Sequence, residues 1–72
     1  MSTDTFVKIV MDEILKSPDV SDIGSLRSAI RTIGRKFESR SIDAPGALAE
    51  IVRLLPWQLS RDIKKSIEKA LR

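Results

Sequence analysis

Apolar residues recur at three- and four-residue spacings along most of the chain, and nowhere do they alternate with polar ones over a strand's length. That periodicity predicts an all-α fold. Four helices are expected, at about 4–16, 22–40, 45–55 and 57–71, folded as one small compact bundle over residues 1–72. In the first, Phe6, Val7, Val10, Met11, Ile14 and Leu15 share a face that Ile9 widens further. Thr3 or Asp4 is placed to supply the N-cap oxygen, and Pro18 forbids continuation because it lacks an N–H and restricts the residue before it. The apolar arc spans roughly half the helix circumference, more than an ordinary surface helix needs. Two explanations fit: the helix packs against two neighbours, or Phe6, Ile9, Val10, Met11 and Ile14 form an oligomer or partner contact.

A connector over 19–24 leads to the second helix, with Asp22 or Ser25 as cap and Leu26, Ala29, Ile30, Ile33 and Phe37 on a narrower stripe. Gly34 lies beside that stripe. Glycine costs about 1 kcal/mol relative to Ala in a helix interior, so its presence implies a close approach by another helix. The third helix opens at Ala44-Pro45-Gly46, with Asp43 as cap and Pro45 in the tolerated first turn. Its buried face is Leu48, Ile51, Val52 and Leu55, and Pro56 ends it. Leu59, Ile63, Ile67, Ala70 and Leu71 line the last helix. Its start is open between Pro56 as the first helical residue and Ser60 as an N-cap after a turn over 55–59.

Length changes how this pattern is read. A chain of 72 residues buries a small core, and scaffolds of this size usually add a disulfide, a metal or a second subunit. Without Cys or His, bridges and ordinary zinc sites are out, which leaves oligomerisation. The same inventory argues against an enzyme, because the commonest general base, the thiolate nucleophile and the phenolic acid are all missing. No cofactor or metal is expected: the glycines are too dispersed for a phosphate loop, and the calcium-loop beginning at Asp19 fails at Ile23 and Ile30, where oxygen ligands are required. The polar start of the chain is unlike a signal peptide, and no apolar run reaches membrane-spanning length. A soluble, cytoplasmic protein is the expectation.

Charge supplies the candidate chemistry. The net charge is +3, but its distribution says more: 1–20 sums to −2, 21–40 to +3, 41–56 to −1 and 57–72 to +3. Arg27, Arg31 and Arg35 recur every fourth residue, within an arc of roughly 80° beside the apolar stripe. Rising about 6 Å apart, they match the demands of a phosphate backbone. They equally fit arginines that lay their stems over the core edge. Glu38 is a local partner for Arg35. On the last helix Arg61, Lys65 and Arg72 share a face, flanked by Lys64 and Lys69.

The stretch from Ala49 to Leu55 followed by Leu59 to Ile67 resembles a helix-turn-helix, with the second segment as recognition helix. That resemblance implies Ser60, Arg61, Lys64 and Lys65 near the end that meets bases and phosphates. The usual turn glycine is missing and Pro56-Trp57-Gln58 lengthens the turn. Trp57 is read as a core residue rather than a stacking platform. The functional expectation is a homodimeric regulator that binds DNA or double-stranded RNA through these basic faces, with a protein–protein module as the alternative. Contiguity decides between them: one continuous basic surface favours a polyanion, two faces pointing apart favour a protein partner.

Overall fold

The computed structural model describes residues 1–17, 20–55 and 59–72. Its four helices are α1 (Thr3–Ile14), α2 (Ile23–Glu38), α3 (Ala44–Leu54) and α4 (Arg61–Leu71), with no strand among the described residues. Contacts run in a ring: α1 on α2, α2 on α3, α3 on α4 and α4 back on α1. Helices α2 and α4 lie across the ring from one another, as do α1 and α3, and neither pair comes into close backbone contact. The molecule measures 31 × 23 × 18 Å.

The helix ends follow local chemistry, with some corrections to the expected boundaries. Helix α1 starts one residue early because Ser2 is the N-cap, its Oγ accepting from the Thr5 N–H at 3.2 Å. Neither Thr3 nor Asp4 has that role. The helix also ends at Ile14, and a tighter turn through Ser17 follows, with Lys16 and Ser17 donating to Glu13 and Ile14 carbonyls. Asp22 precedes α2 in the left-handed region (φ 52), and its side chain makes no capping bond. Asp43 caps α3 as expected, accepting from the Gly46 N–H at 2.8 Å with Pro45 in the first turn. For α4 the alternative start holds: Ser60 Oγ accepts from the Ile63 N–H at 3.2 Å, and the helix begins at Arg61 rather than at 57. The expectations for Pro18, Pro56 and Trp57 fall outside the described residues.

Helix α2 ends in a Schellman motif. The Ser41 N–H donates to the Lys36 carbonyl at 2.8 Å and the Arg40 N–H to that of Phe37 at 3.1 Å. Arg40 occupies the left-handed position (φ 63) that glycine usually fills.

The core is assembled from all four helices. Phe6, Val10, Met11 and Ile14 of α1 meet Ile30 and Ile33 of α2, Ala47 and Ile51 of α3, and Ile67 and Leu71 of α4. Leu26, Leu55 and Leu59 are also buried, whereas Ala29 is half-buried and Ala70 is exposed. Ala70 sits one residue off the Ile67–Leu71 line, so the helical twist carries it to the rim. Alanines at 44 and 47 keep α3 thin where it enters the core. Gly34 is buried for the reason its position suggested, although the approaching group is a ring rather than a backbone. A Cβ on Gly34 would lie 2.8 Å from Phe6 Cδ1 and 3.3 Å from Cγ.

Two stability measurements test this account. Gly34→Ala gains about 1 kcal/mol of helix propensity but forces a fully buried ring to shift, which typically costs about 1–3 kcal/mol. Urea denaturation of the variant should show a net loss of about 1 kcal/mol. Arg40→Gly relieves a left-handed side chain, worth about 1–2 kcal/mol, against a smaller loss from unfolded-state entropy. Its melting temperature should rise by about 3 °C.

Candidate interaction surfaces

The wide apolar face of α1 is spent inside the chain. Phe6, Val10 and Ile14 are wholly buried and Met11 nearly so, because α1 packs against α2 on one side and α4 on the other. The two-neighbour explanation therefore accounts for the arc. Four of the five residues expected to meet a partner have no surface to offer, and Ile9 alone of that set is half-buried.

Ion pairs divide the basic stripe on α2. Arg31 reaches to α1, its Nη1 lying 2.8 Å from Asp4 Oδ1. Arg27 and Arg35 are exposed and have no ion pair among the described residues. On the opposite flank of α2, Lys36 pairs with Glu50 of α3 at 2.9 Å. Glu38 does not pair with Arg35. It turns instead to the start of α1, where its carboxylate accepts from the Thr3 N–H at 2.8 Å and from the Thr3 hydroxyl.

Helix α4 carries a simpler row. Arg61, Lys65 and Lys69 are exposed at every fourth position, without an ion pair among the described residues. Lys64 is half-buried beside them, and Arg72 is held by Glu68 at 2.8 Å. Helices α2 and α4 are not neighbours in the ring, so the two basic rows belong to helices without close backbone contact. The helices converge only at one end, across an open cleft of about 1050 Å³ between Phe37, Arg40 and Ile42 on one side and Ala70, Leu71 and Arg72 on the other. Glu38 and Asp43 also line that cleft, so its charge is mixed.

A different feature stands out on the remaining surface. Leu15, Ile23 and Leu54 are exposed by 46%, 40% and 40%. Leu15 follows the end of α1, Ile23 opens α2 and Leu54 closes α3, which puts all three toward the same end of the bundle. Leu54 also stands over a groove between α2 and α3, about 410 Å³, lined by Ala29, Thr32, Ile33, Glu50, Arg53 and Leu54. A second depression of about 330 Å³ continues it through Ala29 and Leu54 toward Ser21 and Leu55. The sequence signal for this groove is small. Leu54 falls off the face shared by Leu48, Ile51, Val52 and Leu55, and Ala29 is the shortest residue of its stripe.

Helices α3 and α4 are in contact, and residues 56–58 of the connection between them lie outside the described set. No group of acidic side chains among the described residues has the arrangement to hold a metal ion, and no helix is long and apolar enough to cross a membrane. No family model, curated protein or solved structure matches this chain.

The Glu38 contact has a pH signature. Its carboxyl is held below the usual value, first by the Thr3 hydroxyl and then by the Thr3 N–H, against opposition from desolvation and Asp4. A group whose folded pKa is depressed stabilises the protein above its unfolded pKa, and that contribution disappears as pH falls through the folded value. Glu38→Gln should therefore melt below the wild type at neutral pH. The gap should close as pH drops below the ordinary glutamate range, which thermal melts across that window would record.

Proposed function

We propose that this chain is a non-enzymatic protein–protein interaction module, an adaptor or oligomerisation domain. The observation that carries the reading is the groove between α2 and α3, crowned by an exposed Leu54 and set beside Ile23 and Leu15. Large side chains left half in water at one end of a small domain favour a surface built to be covered. The division of positive charge argues the same way. The basic residues are split between two helices that are not neighbours in the ring, and Arg31 and Arg72 are already engaged by Asp4 and Glu68.

A second reading rests on α4 alone. Arg61, Lys65 and Lys69 rise along one exposed face at a spacing of about 6 Å, suited to successive phosphates. If that row binds nucleic acid, three neutralised phosphates make affinity about forty-fold weaker at 200 mM than at 50 mM salt.

Titrating duplex DNA and duplex RNA at both salt concentrations separates the two. Three proteins are compared: the wild type, R27A/R31A/R35A and R61A/K65A/K69A. The interaction module should bind both duplexes weakly, at a dissociation constant of about 10⁻⁴ M, with changes under about threefold in either variant. Tight, steeply salt-dependent binding that disappears in the α4 variant would overturn the module reading in favour of α4.

A further inference from the structure

We propose that the occupant of the α2/α3 groove is a second copy of this chain, docked about a two-fold axis through the same groove. This rests on the interaction-module reading and specifies its partner. Knob and hole lie on one face: Leu54 projects between the two depressions, and Ala29, the smallest side chain on that side of α2, lines both. A symmetric interface requires that arrangement, since each surface must complement itself.

The charges on the rim are self-complementary too. Glu50 and Arg53 both line the groove, one turn apart on α3. When two copies of α3 meet antiparallel, Arg53 faces the partner's Glu50 and Glu50 faces the partner's Arg53. Arg53 is exposed and has no ion pair among the described residues. Glu50 accepts from the Lys36 ammonium through Oε1, which leaves its second oxygen to accept from another cation.

The area suits a dimer. The chain exposes 4578 Å² in all, of which a standard interface covers roughly 800 Å² per partner. A small scaffold with neither Cys nor His has subunit association as its remaining means of enlarging its core.

Sedimentation equilibrium tests the proposal. The wild type should be dimeric at micromolar concentration. Leu54→Asp should raise the dimer dissociation constant at least about tenfold while leaving helicity unchanged by circular dichroism. R53E and E50R should each weaken self-association, because each sets like charges against one another twice across the two-fold axis. An equimolar mixture of R53E with E50R should restore the dimer as a heterodimer, since both cross-pairs are then of opposite sign. That mixture also covers the case in which Leu54→Asp fails to fold.

A wild type that stays monomeric up to about 0.5 mM would overturn the proposal. So would a dimer that Leu54→Asp and both charge variants leave within about twofold of wild type. Either result leaves the interaction-module reading standing, because that reading is decided separately by the duplex titration.

Discussion

The contact between Phe6 and Gly34 governs how α1 and α2 sit against each other, and much of the remaining architecture depends on it. The Phe6 ring is fully buried, lies where a Cβ on Gly34 would have to be, and stands 5.3 Å from the ring of Phe37. With α1 seated this closely on α2, its broad apolar face turns into the ring of helices and reaches α4 as well. A core of this size has few large side chains, so almost none remain to cover a second surface. The consequence is functional: a face wide enough to suggest a partner is consumed in making the monomer.

Electrostatics then work around that packing rather than directing it. Asp4–Arg31, Lys36–Glu50 and the Glu38–Thr3 contact join α2 to its two neighbours, each at an exposed or partly exposed position. The two ion pairs among them are solvent-exposed and contribute little to stability. They engage Arg31, one of a row of arginines, and Glu50 at the edge of the groove. Cations that could have formed a phosphate track are thus divided by helix and by partner.

What the surface retains is an apolar groove beside an exposed leucine, a rim carrying both signs of charge, and a basic row on α4, which does not line the groove. These features are compatible with one another. A copy seated against α2 and α3 leaves α4 uncovered, so association through the groove does not occupy the row formed by Arg61, Lys65 and Lys69.

Helix number and most buried positions were legible from spacing, since a 3.6-residue period marks one face whatever it packs against. Asp43 and Ser60 were legible as caps because a side-chain oxygen before an apolar run satisfies free N–H groups. Gly34 announced a close approach by its helix cost alone. Other features depended on neighbours. Whether Leu15 or Leu54 is covered is set by where adjacent helices end, and whether Arg31 is free is set by an aspartate 27 positions away in the chain. The sequence by itself determined the helices, their inward faces and their charges. Only the tertiary structure placed α2 and α4 at opposite corners, because the order of helices around a core is decided by side-chain packing among all four, which no local period encodes.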